Sequence, residues 1–221
     1  MVRIDEYINR AVCLLRDAFA DRLLYVGLQG SYSRGEADEN SDIDLMVVLD
    51  ELTPDDLAIY RNLLVRLGEE EKSCGFLCGR RELENWNACE ICQILHETDD
   101  ILGRLADLVP PYTEADVRQH VKLSVGNLYH ALCHRAVHAA DGWDADGLRD
   151  AYKPVLYILQ NRVYLETGMY WKKRKDLLTH LEGLDVAVLQ TAAILKSGAD
   201  VDAGRAFRLL FTWCQTVLQN T

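Results

Sequence analysis

The sequence contains no long hydrophobic run. None of its apolar stretches approaches the roughly 20 residues that a helix needs to cross a bilayer, and internal repeats and low-complexity segments are absent as well. The amino-terminal residues 1–6 do not have the pattern of a secretory signal peptide. We therefore expect a cytoplasmic protein that has no membrane partner.

Positive charge is in short supply. The 221 residues include 24 Lys and Arg against 35 Asp and Glu, which gives a formal net charge of -11. Because contacts to phosphates along a nucleic acid need clustered Lys and Arg, we expect no nucleic-acid partner. The deficit lies in the first half of the chain, since residues 1–112 carry a net charge of -12 and residues 113–221 carry +1. An acidic first half suits metal binding.

An even set of cysteines is also lacking. The chain has seven, and in a cytoplasmic protein an odd number favours reduced core residues over disulfides. Cys74 and Cys78, together with Cys89 and Cys92, leave a four-thiolate zinc site as an alternative. These pairs lie in apolar, strand-like segments instead of glycine-rich knuckles, so we favour burial in the core.

The most informative stretch runs from Leu24 to Leu49. An apolar segment leads into a polar turn, and a second apolar segment is interrupted near its start by Asp42 and Asp44. Side chains alternate between the two faces of a strand, so these two carboxylates point the same way. Like charges side by side repel unless a cation lies between them, and Mg²⁺ is the cation that one or two carboxylates bind together with substrate phosphates.

The turn itself begins with Gly30 and Ser31. A glycine lets the backbone approach a phosphate closely, and the serine adds a hydroxyl and an N–H group to the same corner. The alternative is a β-hairpin that carries two solvated aspartates. The turn and the aspartates together therefore predict a corner for a metal ion and a nucleotide.

Gly-Ser, a spacer of ten residues and Asp-x-Asp in an apolar strand resemble the signature of the DNA polymerase β-like nucleotidyltransferase superfamily. Gly-Ser-Tyr-Ser-Arg-Gly-Glu-Ala and Asn-Ser-Asp-Ile-Asp-Leu are most similar to its small-molecule and minimal branches. The resemblance implies that Asp42 and Asp44 are catalytic and hold one or two Mg²⁺ ions. It also implies that Gly30 and Ser31 cradle the phosphates of ATP, with Arg34 as an additional cation.

The resemblance extends to the second half of the chain. Residues 158–178 are similar to the helical C-terminal region of aminoglycoside-type nucleotidyltransferases and of HEPN-like bundles. In that region Lys175, and after it Lys173, is implied as a phosphate contact, with a solvated basic helix start as the alternative. Arg174 and His180 have the spacing of an element of HEPN ribonucleases, a pattern too short to support an activity.

Three histidines, His130, His134 and His138, are spaced four residues apart and form one stripe on a helix. Such a stripe can line a cleft or bind zinc with Cys133. Nothing else in the segment has the spacing of metal ligands, so we favour a structural role.

One expected feature is missing. Active members of the superfamily carry a third carboxylate on a later strand, beside the Asp-x-Asp pair. The segment predicted as that strand, Ser73 to Cys78, contains no acid. Glu71 lies just before it and Glu90 begins the next predicted strand, so we name Glu90 as a candidate third metal ligand.

The predicted fold is α+β. A nucleotidyltransferase domain, residues 1–110, has a short mixed sheet flanked by helices, and an all-α helical bundle, residues 111–221, follows the break at Pro110 and Pro111. Periodicity predicts strands at 23–29, 43–49, 73–78 and 90–96 and helices at 3–21, 53–67, 81–86, 114–140, 148–167, 184–197 and 202–219.

The predicted reaction is Mg²⁺-dependent transfer of AMP from ATP to a hydroxyl of a small molecule that enters between the two domains. A protein-modifying or antitoxin-like minimal nucleotidyltransferase is one alternative. A nucleotide-binding protein without catalysis is another, because of the missing carboxylate. The expected partners are a nucleoside triphosphate, the acceptor and, in a homodimer, a second copy of the chain.

Overall fold

The computed structural model describes residues 2–139 and 142–220. The chain forms two compact units, Met1–Pro111 and Tyr112–Thr221. Of the helices in the described residues, none combines the length and the apolar character that crossing a bilayer requires.

The first unit is built on a mixed sheet. Its strands, in the described part of the chain, are β1 (Leu23–Gln29), β2 (Ile43–Leu49), β3 (Ser73–Gly79) and β4 (Asp99–Leu102). They lie in the order β3-β2-β1-β4; β1 is antiparallel to β2 and to β4, whereas β2 and β3 are parallel. The helices are α1 (Ile4–Phe19), α2 (Gly30–Arg34), α3 (Pro54–Leu67), α4 (Arg80–Glu84) and α5 (Ala88–Glu97).

The two faces of the sheet have different coverings. On one face, Val26 and Val47 pack against apolar residues of α1 and α3, including Phe19 and Leu67. Met46 belongs to a second buried cluster, which also contains Tyr25, Val48, Cys78 and Leu83. Because side chains alternate along a strand, Asp44 shares the face of Met46. At the start of β2, Asp44 therefore places a carboxylate on the same face of the sheet as the apolar cluster that contains Met46.

Helix α3, predicted over residues 53–67, begins at a capping box. The Thr53 hydroxyl accepts the Asp56 N–H, and the Asp56 carboxylate accepts the Thr53 N–H at 2.8 Å. Asp56 also accepts two guanidinium N–H bonds from Arg22, at 2.8 and 2.9 Å. The buried carboxylate thus ties the start of the helix to the segment before β1.

We expect Asp56→Asn to lower the free energy of unfolding by about 1–2 kcal/mol at pH 7, the usual size of a lost helix cap. The Arg22 guanidinium and the Thr53 N–H group hold the pKa of Asp56 well below its ordinary value. A depressed pKa gives stability that is present above the pKa of the unfolded chain and is lost as the pH falls through the folded pKa. Urea titrations at pH 7 and pH 3 should therefore show a smaller difference between the two proteins at pH 3.

The exposed neighbour Asp55 offers the matched control. Asp55→Asn should leave the unfolding free energy almost unchanged at both pH values. A deficit of Asp56→Asn that stays constant down to pH 3 would contradict the ionic role of Asp56.

The strand predicted at residues 90–96 is wrong. These residues lie in helix α5, and the fourth strand is Asp99–Leu102, a segment for which no strand was predicted. A short apolar segment fits either period. The Asn87 side chain caps α5 by accepting the Cys89 N–H, and Ile91 and Cys92 are buried as one helical face.

The second unit is helical. Its helices are α6 (Glu114–His138), α7 (Ala145–Tyr152), α8 (Val155–Thr167), α9 (Arg174–Leu178), α10 (Gly183–Lys196) and α11 (Ala203–Asn220). The helix predicted at 148–167 is divided at Pro154, which lacks the N–H that a continuous helix needs. The predicted class, a short mixed sheet with flanking helices followed by an all-α region, is confirmed.

Candidate active site

The turn after β1 is shaped around a glycine. Gly30 has a φ of +70°, a conformation that L side chains rarely adopt. Gln29 lies opposite Asp44 in the pairing of β1 with β2, and a Cβ at position 30 would overlap the Asp44 carboxylate. Gly30 is therefore required by its backbone conformation and by the carboxylate that lies against it.

The two aspartates occupy different environments. Asp44 is half-buried on β2, and Asp42, just before the strand, is exposed. Burial raises the pKa of the Asp44 carboxyl, and the negative charge of Asp42 raises it further. The thiol of Cys74 and the charge of Arg34 act in the opposite direction. A cation bound between the two carboxylates would relieve their repulsion.

The side chain next to Asp44 across the sheet is that of Cys74. In the parallel pairing of β2 with β3, Cys74 is the register partner of Asp44. The thiol of Cys74 lowers the pKa of the Asp44 carboxyl, whereas desolvation and then the charge of Asp44 raise the pKa of the thiol. Cys74 is exposed, so it borders the open side of the corner.

A buried ion pair between Arg34 and Glu97 anchors the turn. Arg34, buried on α2, donates to the Glu97 carboxylate at 2.7 Å and lies 3.4 Å from a carboxylate oxygen of Glu36. The Ser33 hydroxyl donates to Asp99 at 2.6 Å. Arg34 therefore holds α2 to α5 and at the same time contributes positive potential at Asp44. Its role toward a phosphate stays a prediction, as does that of the buried Ser31.

Glu90 was chosen as a candidate third metal ligand because it began the predicted strand 90–96, and that strand is not present. Glu90 lies in the first turn of α5 instead of on a strand, and its carboxylate accepts the Trp86 indole N–H at 2.7 Å. Within residues 2–139 and 142–220, no group of three or more His, Cys, Asp or Glu side chains is placed to hold a metal ion. This finding also disfavours the four-thiolate zinc site, for which Cys78 and Cys92 are buried in the core.

The predicted residues of the second unit lie on its surface. Lys175, on α9, and Lys173, just before it, are both exposed, and their phosphate role stays a prediction. His180 stacks on Trp171 with ring centroids 4.3 Å apart. The stripe of His130, His134 and His138 is exposed along α6, so these rings are not part of the core.

The donors of the first unit fit a magnesium ion. Asp42 and Asp44 supply hard carboxylate oxygens, which Mg²⁺ prefers, and phosphate oxygens and water complete its coordination in such sites. Because Gly30 has no side chain, its backbone packs directly against the Asp44 carboxylate, at the place where a cation would hold a phosphate. Sequence reasoning named Gly30, Asp42 and Asp44, whose roles stay predictions, but it missed the place of Cys74 beside Asp44 and the anchoring Glu97.

A family model described as nucleotidyltransferase domain matches residues 12–125, just over half of the chain. The chain belongs to the nucleotidyltransferase family. The matched range includes the Gly30 turn and both aspartates, so the predicted superfamily and enzyme class are confirmed. None of the curated proteins matches this nucleotidyltransferase in sequence.

Solved structures support the fold of this nucleotidyltransferase. Spectinomycin adenyltransferase AAD(9) from Enterococcus faecialis, solved with ATP and spectinomycin, is 15% identical, with a TM-score of 0.63. The match covers 97% of this chain and 99% of that one. A toxin-antitoxin structure with AMP-PNP is 25% identical over 58% of this chain and 93% of its own, with a TM-score of 0.34. The first likeness shows a shared fold, and the second is too weak to carry an argument.

We expect Gly30→Ala to weaken binding of an Mg²⁺-ATP analogue at least tenfold, about 1.4 kcal/mol. The new methyl group displaces the Asp44 carboxylate and forces an L residue into a positive φ, a backbone cost of about 1–2 kcal/mol. Isothermal titration calorimetry measures the affinity, and thermal unfolding measures the backbone cost.

Gly35→Ala is the matched control for Gly30→Ala. Gly35 has a φ of +68°, but a Cβ there meets no atom within 4 Å. It should lower stability by a similar amount and leave nucleotide affinity intact. Equal losses of affinity in both variants would exclude a specific role of the contact between Gly30 and Asp44.

Proposed function

We propose that this nucleotidyltransferase transfers AMP from ATP to a hydroxyl group and releases pyrophosphate, with Mg²⁺ bound at Asp42 and Asp44. The observation that carries the proposal is the packing of Gly30 against the Asp44 carboxylate. This packing brings the backbone of Gly30, which can bind a phosphate, next to the carboxylates of Asp42 and Asp44, which can hold a cation.

The residues of the corner have separate tasks. Asp42 and Asp44 would hold the cation and fix its position at the end of β2. The bound ion would neutralise phosphate charge and help the pyrophosphate to leave. The backbone at Gly30 and the N–H and hydroxyl of Ser31 would bind the β- and γ-phosphates. Arg34, held by Glu97, keeps the turn in place and adds positive potential.

The reaction is a substitution at the α-phosphorus. The acceptor oxygen bonds to the α-phosphorus while the bond from phosphorus to the pyrophosphate oxygen breaks, and the hydroxyl proton passes to solvent. Catalysis then depends mainly on positioning and on charge neutralisation. The turn and the two aspartates supply both from one end of the sheet.

We propose a small-molecule hydroxyl as the acceptor. The shared fold with a spectinomycin adenyltransferase, matched over nearly all of both chains, supports this class. A nucleotide-binding protein without turnover is the second candidate, supported by the thiol of Cys74 beside Asp44, where an acid was expected.

The test is transfer of label from ATP labelled on its α-phosphate. The protein is incubated with Mg²⁺ and labelled ATP against a panel of aminoglycosides, spectinomycin and lincosamides, and separately against cell lysate. The double variant Asp42→Asn/Asp44→Asn is the control. Label on a panel compound that the control does not produce supports the proposal. Label on protein alone would replace the small molecule by a protein acceptor, and binding of ATP without any transfer would favour the second candidate.

A further inference from the structure

Cys74 lies in the row of side chains that runs across the sheet at the proposed metal corner. Cys74 on β3, Asp44 on β2 and Gln29 on β1 are register partners, so they lie side by side on one face of the sheet. Cys74 is exposed, and as the register partner of Asp44 it places a thiol, a group able to donate a hydrogen, beside the carboxylate. On the β3 side, Cys74 is therefore the side chain that lies next to any cation bound at Asp44.

We propose that Cys74 is a positioning residue that holds the Asp44 carboxylate and keeps the corner a two-carboxylate centre, so that a divalent cation binds only together with a triphosphate. This inference rests on the proposed function and deepens it. It assigns to Cys74 control over how the metal enters the site.

The chemistry of the donors explains the effect. Mg²⁺ and Mn²⁺ prefer oxygen ligands, and a neutral thiol offers neither negative charge nor a hard donor atom. Two carboxylates, one of them exposed, leave most of the coordination sphere to be supplied by phosphate oxygens and water. The free cation is then bound weakly, whereas the cation that arrives on ATP gains the contacts of the Gly30 turn.

A carboxylate at position 74 would change this balance. It would give the cation a third charged ligand next to Asp44, and cation affinity rises with the number of charged ligands. Without a cation it would add a third negative charge to the corner and raise the repulsion there. The thiol avoids that repulsion and at the same time satisfies one lone pair of Asp44.

The test measures binding of Mn²⁺ alone, by electron paramagnetic resonance of the free ion, to the whole chain and its variants. We expect Cys74→Asp to bind Mn²⁺ about tenfold or more tightly than the unmodified protein in the absence of nucleotide. Cys74→Asn, which has the size of aspartate without its charge, is the matched control and should remain weak. Circular dichroism and thermal unfolding establish that each variant is folded.

A second pair of variants tests the positioning role, even if the aspartate variant does not fold. With α,β-methylene-ATP present, Cys74→Ser should keep the Mn²⁺-nucleotide affinity, because its hydroxyl also donates to Asp44. Cys74→Ala should weaken it severalfold. A purely structural cysteine would give equal affinities in these two variants, which would overturn the positioning role.

Other outcomes separate this inference from the proposed reaction. Tight binding of free Mn²⁺ by the unmodified protein, or equal affinities of Cys74→Asp and Cys74→Asn, would overturn the control of metal entry. If the Cys74 variants behave as expected while no AMP transfer is found, the proposed reaction is refuted and the proposed role of Cys74 is supported. If Asp44→Asn leaves Mn²⁺-nucleotide binding intact, the proposed metal corner itself fails.

Discussion

Asp44→Asn should weaken binding of Mg²⁺ with α,β-methylene-ATP at least about 100-fold and abolish AMP transfer. Loss of a residue that only supports a metal ligand typically costs 10–100-fold in affinity, and loss of a ligand should cost at least as much. Asparagine keeps the size of the side chain and removes the charge. Asp44 is half-buried, so its charge is screened less than that of the exposed Asp42.

The fold should survive this substitution. Burial and the neighbouring Asp42 raise the pKa of Asp44. The ionised carboxylate therefore lowers the stability of the unliganded protein. Removing the charge should leave stability unchanged or slightly higher, while it removes binding. Such opposite effects are the mark of a site residue as distinct from a structural one.

Isothermal titration calorimetry gives the affinity, and release of pyrophosphate gives the rate. Asp55→Asn, an exposed change in the same unit, is the control and should leave both unchanged. Undiminished Mg²⁺-dependent binding by Asp44→Asn would refute the metal corner.

Trp213→Ala should lower the free energy of unfolding by about 3–5 kcal/mol, the usual cost of truncating a large buried side chain. Trp213, on α11, is 1% exposed within the core of the second unit. Its indole N–H donates to Asp185 at 2.6 Å, and the same carboxylate oxygen accepts from Arg162 at 2.7 Å. The substitution thus opens a cavity and removes one of the partners of a half-buried carboxylate.

Urea unfolding followed by circular dichroism measures the loss. The free energy of unfolding of Trp213→Phe should lie between those of the unmodified protein and Trp213→Ala, because phenylalanine keeps one aromatic ring but lacks the indole N–H. Leu218→Ala, a partly exposed position on the same helix, should cost much less. A cost of Trp213→Ala no greater than that of Leu218→Ala would show that the helical unit does not depend on this residue.

Local sequence signals were sufficient where neighbours along the chain decide the structure. The strands β1 and β2 and the helix start near Thr53 are confirmed, because an apolar run between polar segments and a threonine followed by a proline each depend on a few adjacent residues. Segment 90–96 was misassigned because a short apolar run fits both periods. Its helix is stabilised by burial of Ile91 and Cys92, which the sequence alone does not reveal.

The sequence by itself determined which residues form the proposed metal and nucleotide corner, because Gly30, Asp42 and Asp44 all lie in the segment that leads from β1 into β2. Only the tertiary structure decided what surrounds them. Cys74 reaches Asp44 through the parallel pairing of β3, and Glu97 reaches Arg34 from α5. Such contacts join residues about 30 and 60 positions apart, and strand order and helix packing, not local propensity, select them.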